Sequence, residues 1–205
     1  MSLFSCSPLN GIKKQPGKTA KTLQHFKNSI FITRIDTPIG EMLAGATENG
    51  ICLLEFKERK NLESQLNGIS AYFKKEIING NNQYLLKLQK QINQYFHKKL
   101  DKFDLPLDLS GTAFQKTVWE ALLKVPYGST ISYLELSRTL GNVKAIRAVA
   151  NANAANKIAI LIPCHRVIGA DGSLTGYAGG LWRKKRLLHL EDQSGNKQLS
   201  LLDIL

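Results

Sequence analysis

The hydrophobic period changes along this chain, and that change constrains the fold more than any single residue does. From Ile30 onward the sequence reads IFITRID, the breaker Thr37-Pro38-Ile39-Gly40, EMLAGAT, the turn Glu48-Asn49-Gly50 and ICLLEF. Short β-prone runs separated by turn residues predict a small antiparallel sheet. Beyond it the spacing turns helical, near 61–73 and again over 83–99, where Leu85, Leu88, Ile92, Tyr95 and Phe96 form one stripe that reads as core. Leu105-Pro106-Leu107-Asp108-Leu109-Ser110-Gly111 reads as a linker.

After the linker, Phe114, Val118, Ala121 and Leu122 make one apolar helix face, stopped by Val125-Pro126-Tyr127-Gly128. Ser132 and Glu135 form an S-x-x-E capping box that opens a helix ending at Gly141, and a further helix starts after Asn142. The pair 132–140 and 143–155, joined by a Gly-containing turn, predicts a helix-turn-helix. IAILIP, after Asn156 and Lys157, is a continuous apolar run expected to be a buried strand or extended segment. It delivers Pro163-Cys164-His165-Arg166, followed by a glycine-rich loop over 169–180 and a last helix near 181–191.

These patterns predict an α/β (α+β) protein with a basic tail at 1–27, expected to be flexible. An N-terminal α/β domain follows at 28–109, with a small antiparallel sheet and helices. A mainly helical C-terminal domain spans 110–205. A composition of 43% apolar and 21% charged residues excludes a disordered chain. No apolar run approaches the ~20 residues that span a bilayer, and no leader-like apolar stretch stands near Met1, so a cytoplasmic protein is expected. Cys6, Cys52 and Cys164 have no metal-ligand spacing and read as thiols, with no metal and no cofactor implied.

The net charge of +12 is unevenly distributed. Residues 1–27 carry five Lys and no acid, 28–110 are nearly balanced, and 111–205 carry twelve basic against six acidic residues. A basic C-terminal half fits a polyanion such as nucleic acid, and fits an anionic membrane surface as well. The helix VKAIRAVANANAAN is nearly smooth on one side, with Lys144 and Arg147 at its start. A helix is ~10–12 Å across and the minor groove of DNA only ~6 Å wide, so a helix entering that groove must be shaved to small residues. Tight packing inside the protein explains the same alanines. Arg183-Lys184-Lys185-Arg186 reads as a solvated helix face, with phosphate contact as the other option.

Cys164, beside His165 and Arg166, sits where basic neighbours favour a thiolate, although a buried inert cysteine has the same local sequence. Neighbours on an extended strand point to opposite faces, so a Cys164–His165 partnership needs a turn or a bridging water. The motif continues as Pro163-Cys164-His165-Arg166-Val167-Ile168, then Gly176-Tyr177-Ala178-Gly179-Gly180 and Leu187-Leu188-His189-Leu190-Glu191. Together with Phe114-Gln115, Ile131-Ser132-Tyr133 and Arg147-Ala148-Val149, it resembles the O6-alkylguanine-DNA alkyltransferase family.

The resemblance implies DNA repair by direct reversal. O6-alkylguanine, or O4-alkylthymine, is flipped out of duplex DNA and its alkyl group passes irreversibly to Cys164, one transfer per molecule, as a methylated-DNA–protein-cysteine methyltransferase does. It implies that His165 acts through a water as base, that Glu191 orients His165, and that Asn156 braces the active-site turn. It further implies that Arg147 fills the space of the flipped base, that Tyr133 contacts the flanking phosphate and the base, and that Ala148, Val167, Tyr177 and Ala178 belong to the DNA or substrate surface. The helix 143–155 would sit in the minor groove, with a monomer as the default state.

Ala178 lacks the hydroxyl that some members have, which predicts donation to O6 by backbone only and a roomier pocket. A lesion-binding module without transfer, a cysteine hydrolase and a transcription activator are the competing readings. The module would lack Cys164, the hydrolase would regenerate its thiol, and the activator would need a cysteine cluster that 1–110 does not contain.

Overall fold

The computed structural model describes residues 28–193, so the tail expected at 1–27 and the end of the chain after Gln193 lie outside the described residues. The β-prone runs become β1 (Ser29–Ile35), β2 (Met42–Ala46) and β3 (Ile51–Phe56), an antiparallel meander. Thr37 closes the first turn, its hydroxyl donating to the Gly40 carbonyl at 2.6 Å. Helix α1 (Leu62–Phe73) then carries the chain back to a fourth strand, β4 (Glu76–Asn79), which pairs parallel with β1. The sheet order is β3-β2-β1-β4. Sequence reasoning missed β4, because four residues, EIIN, are too few to show a period.

One face of this sheet packs Ile30, Cys52 and Leu53 on Ile69 of α1. The other presents Phe31, Met42, Ala44, Leu54 and Phe56 to a larger core that takes in Leu85, Leu88, Ile92 and Tyr95 of α2 (Gln83–Phe96). Strand β3 is covered on both faces, which is why all six residues of ICLLEF are buried. That larger core continues into Val118, Trp119, Val149, Ile162 and Leu187 of the C-terminal half.

The linker runs along the edge of β3. The amide of Ile51 donates to the Pro106 carbonyl at 2.9 Å, and the Asp108 amide to the Ile51 carbonyl at 2.8 Å. Gly50 is required at that approach, since a Cβ there would stand 2.3 Å from the Pro106 carbonyl oxygen.

In the C-terminal half come α3 (Ala113–Leu122), the two-residue strand β5 (Ile131–Ser132), α4 (Tyr133–Thr139) and α5 (Ile146–Ala154). The predicted capping box is present, with the Glu135 amide donating to Ser132 Oγ at 3.1 Å and the Ser132 amide to Glu135 Oε2 at 2.8 Å. The first turn of the helix predicted at 143–155 is a tighter 3₁₀ turn, Val143–Ala145. The helix-turn-helix is otherwise as expected. Phe114 departs from its predicted apolar face and is 43% exposed, because it lies in the first turn of α3, where the core does not reach.

The apolar run 158–163 is buried, yet it is not a regular strand. It makes a single strand-like bridge from Ile158 to Leu54 of β3 and then folds into consecutive tight turns. β6 (Val167–Ile168) pairs parallel with β5, and α6 (Leu181–Glu191) closes the fold. The basic run on α6 is only partly a solvated face: Arg186 is exposed and Lys185 half-buried, whereas Arg183 and Lys184 are buried. Arg183 is inserted against Phe56, with Nε donating to the Ile39 carbonyl at 2.7 Å, and Lys184 is buried, with Nζ donating to the Val167 and Thr175 carbonyls, each at 2.5 Å. Both ammonium and guanidinium groups satisfy buried carbonyls, a task that charge counting along a sequence does not show. No helix among the described residues is long and apolar enough to cross a membrane.

Candidate active site

Two successive γ-turns aim Cys164. The Leu161 amide donates to the Ala159 carbonyl at 2.9 Å across Ile160, which is held at φ 71°. The Cys164 amide donates to the Ile162 carbonyl at 2.8 Å across Pro163, at φ −80° and ψ 60°. The second turn is the common inverse form, and the first is the rare, strained form, in which a β-branched residue is a clear outlier. Strain of that kind persists only when its surroundings over-determine it.

Asn156 supplies the constraint from inside the loop. Its Oδ1 accepts from the Ile158 amide at 2.9 Å, and its Nδ2 donates to the Ile162 carbonyl at 2.9 Å and to Cys164 Sγ at 3.2 Å. All three groups are buried, so an aliphatic replacement would strand them.

Cys164 starts a short 3₁₀ turn through Arg166, which is the turn that a Cys164–His165 partnership needed. Burial pushes the Cys164 thiol up to about 11, against the opposing hydrogen bond from Asn156. The expectation of a thiolate favoured by basic neighbours is therefore corrected. Desolvation outweighs the cations, which favours a protonated Cys164 thiol.

The imidazole beside it is fully buried. His165 Nε2 lies 2.9 Å from Glu191 Oε1, while Nδ1 has no hydrogen-bond partner among the described residues. A carboxylate only accepts, so Nε2 carries the proton and the Nδ1 lone pair is left for chemistry. Burial holds the imidazole below its usual value, against the pull of Glu191.

Glu191 also accepts from Tyr95 Oη at 2.7 Å and from Arg166, through Nε at 2.7 Å and Nη2 at 2.9 Å. Burial alone would raise this carboxyl. The His165 and Arg166 hydrogen bonds overcome it and bring the group to about 2. Arg166 and Tyr95 are site residues that sequence reasoning missed. Arg166 had a signal in its adjacency to His165, whereas Tyr95 read only as core.

The pocket above Cys164 is lined by Asn153, Asn156, Ala159, Gly176, Tyr177 and Ala178, together with Glu55 and Arg59 from the N-terminal half. Its free volume is about 10 Å³, close to the room one water needs. Ala178 lines this pocket and is itself exposed.

Tyr177 stands edge-on to the His165 ring with centroids 6.5 Å apart, its buried hydroxyl unpartnered among the described residues. Tyr133 Oη lies 3.5 Å from Asn153 Nδ2, and burial raises its phenol. Val167 is wholly buried, its carbonyl held by Lys184, and does not line the pocket.

Arg147 and Ala148 do not reach this cluster; they lie exposed on α5 with Asn151 and Ala154. The opposite side of α5 buries Val149, Ala152 and Asn153, and the Trp119 indole donates to the Ala152 carbonyl at 2.8 Å. The small residues thus serve packing on one side and leave a smooth exposed face on the other. Among the described residues no three His, Cys, Asp or Glu side chains gather as a metal site.

Two family models match this chain. Residues 30–109 match the ribonuclease-like domain of 6-O-methylguanine DNA methyltransferase, and residues 113–193 match its DNA binding domain. The methylated-DNA–protein-cysteine methyltransferase of Methanosarcina barkeri is 44% identical over 161 residues, covering 78% of this chain and 96% of that one. The protein of the same name from Mycobacterium bovis is 54% identical over 113 residues, 55% of this chain and 68% of that one. A crystal structure of Mycobacterium tuberculosis OGT in complex with DNA is 40% identical with a TM-score of 0.68, covering 78% of this chain and 92% of that one.

Proposed function

This chain belongs to the 6-O-methylguanine DNA methyltransferase family, and from that premise we propose that Cys164 is the acceptor in its repair of DNA by alkyl transfer to cysteine. The observation that carries the assignment is a buried cluster in which Asn156 holds the sulfur of Cys164 while Glu191 orients the His165 ring.

In this reading an O6-alkylguanine leaves the duplex and its alkyl carbon approaches Cys164 Sγ. His165 Nδ1 takes the thiol proton through a bridging water, and Glu191 stabilises the imidazolium that forms. The sulfur then bonds to the alkyl carbon as the carbon–O6 bond breaks, and the electron pair passes to guanine. Backbone amides near Ala178, which lines the pocket, and the Tyr133 hydroxyl, within reach of Asn153 in that lining, would stabilise the leaving base. The thioether product has no route back to a thiol, so each molecule acts once.

DNA is the partner, and α5 is the element we place in the minor groove, with Arg147 filling the space left by the extruded base. Its exposed face of Arg147, Ala148, Asn151 and Ala154 supports this, being thin enough for a ~6 Å groove. Extrusion itself costs a few kcal/mol, least for a poorly paired damaged base. The protein acts as a monomer, with residues 28–109 as a supporting domain and 110–205 as the DNA-binding and transfer domain. A reducing cytoplasm is the compartment that keeps the acceptor a thiol.

Cys164→Ala tests the assignment. The variant is expected to bind a duplex containing O6-methylguanine with unchanged affinity and to transfer nothing, while the unaltered protein removes one methyl per molecule. Continued repair by Cys164→Ala would remove Cys164 from the role.

A further inference from the structure

The wall of the acceptor pocket includes two charged residues from outside the C-terminal half. Glu55, near the end of β3, is 1% exposed although it is a carboxylate, and Arg59 lies in the turn after that strand. Arg59 Nη1 is paired with Glu55 Oε2 and also donates to the Asn156 carbonyl at 3.0 Å, while Nη2 donates to the Ala154 carbonyl at 3.0 Å. The second carboxylate oxygen of Glu55 accepts from the Phe56 amide at 3.2 Å.

Next to this pair the same strand is stitched to the acceptor loop. The Leu54 amide donates to the Lys157 carbonyl at 2.8 Å, and the Ala159 amide to the Leu54 carbonyl at 2.7 Å. Arg59 therefore grips the end of α5 and the backbone of the residue whose side chain holds Cys164 Sγ. A buried ion pair is a poor stabilising device, since an apolar pair of similar volume usually does as well. What this pair does that an apolar pair cannot is fix two carbonyls at the edge of the active-site turn.

We propose that Arg59, held by Glu55, is a positioning residue for alkyl transfer. It keeps Asn156, and through it the Cys164 sulfur, in the geometry that the reaction needs. This rests on Cys164 being the acceptor. The chain of contacts runs from the Glu55 carboxylate to the Arg59 guanidinium, to the Ala154 and Asn156 carbonyls, and from the Asn156 amide to the sulfur. Arg59 makes no hydrogen bond to the sulfur and acts on it through Asn156.

The test compares transfer rates from a duplex containing O6-methylguanine and from free O6-benzylguanine, alongside affinity for unmodified duplex, in the full-length protein. Alkylation of Cys164 in the unaltered protein is the control that separates failure of this proposal from failure of the acceptor assignment. Arg59→Ala is expected to slow both substrates by about tenfold or more, as misplacement of a reacting group does, while duplex affinity stays within about twofold. Arg59→Lys, which restores the charge and one donor, is expected to recover part of the loss. Adding Asn156→Ala to Arg59→Ala is expected to leave the rate no lower than Asn156→Ala alone, because both act through one contact.

If Arg59→Ala fails to fold, the paired variant Arg59→Gln with Glu55→Gln leaves no unpaired buried charge and carries the same expectation. Unchanged transfer in a folded variant would overturn the proposal. So would a loss confined to the duplex, or losses that multiply when Asn156→Ala is added.

Discussion

His165 and Glu191, 26 positions apart in sequence, meet at 2.9 Å between Nε2 and Oε1, with both side chains shut away from solvent. This contact fixes which imidazole nitrogen is free. It also loads one carboxylate with the His165, Arg166 and Tyr95 donors together, so the proposed base and the stability of the C-terminal half share an anchor.

Glu191→Gln should reveal both roles. The carboxyl is brought from an ordinary 4.5 to about 2 in the fold, a difference of about 3 kcal/mol by linkage. A depressed carboxyl contributes stability that is fully present above its unfolded value and is lost as pH falls through its folded one. Denaturant unfolding of the unaltered protein should therefore weaken between about pH 4.5 and 2. His165, held below its usual value by burial, adds a loss in the same direction that begins at higher pH. Glu191→Gln should be less stable at neutral pH by about 3–5 kcal/mol, because Arg166 loses its counter-charge in a buried site. Its acid sensitivity should be weaker.

The pH dependence of the reaction should identify the base. With the Cys164 thiol pushed up to about 11, spontaneous thiolate at pH 7 is roughly one part in ten thousand. His165→Ala should slow transfer from free O6-benzylguanine at pH 7 by about 10²–10⁴-fold. Its rate should then climb about tenfold per pH unit towards alkaline pH, while the unaltered protein shows a flatter profile. Parallel profiles for the two proteins would remove His165 as base.

Asn156→Ala should strand the Ile158 amide and the Ile162 carbonyl in a buried loop. A loss of about 1–3 kcal/mol for each unsatisfied buried group is expected in chemical denaturation. Transfer should fall on duplex and free-base substrates alike, since the residue acts at the sulfur. Asn156→Asp, which keeps Oδ1 for the Ile158 amide, should recover stability more than rate.

Arg147→Ala separates DNA handling from chemistry. Arg147 is exposed on α5, away from the Cys164 cluster. Repair of duplex O6-methylguanine should drop while the rate with free O6-benzylguanine stays unchanged. Equal losses on both substrates would contradict a role in extrusion. If Arg147 instead contacts only a phosphate, the salt slope of binding falls by about one and repair of a pre-unpaired lesion falls with it.

Features set by nearby residues were legible in the sequence. The Ser132–Glu135 capping box, the meander turns, the helix-turn-helix and the Cys164-His165 motif are all local, and each has a spacing that only a few geometries satisfy. The misread features depend on distant partners. Arg183 and Lys184 looked solvated because the carbonyls they satisfy, from Ile39 to Thr175, lie on other segments. Tyr95 looked like core because Glu191 is 96 residues away. Glu55 and Arg59 carry no motif and join the site only because β3 pairs with the segment at 157–159. Lys157 donates to the Ser110 carbonyl at 2.6 Å and thereby ties the loop before Cys164 to the linker.

The most direct measurement is mass spectrometry of the digested protein after equimolar incubation with a duplex holding one O6-methylguanine. The expected result is a single added methyl on the peptide containing Cys164, unmodified guanine restored in the duplex, and no second turnover when more duplex is added. A methyl on another residue, or repeated turnover with Cys164 unmodified, would contradict it.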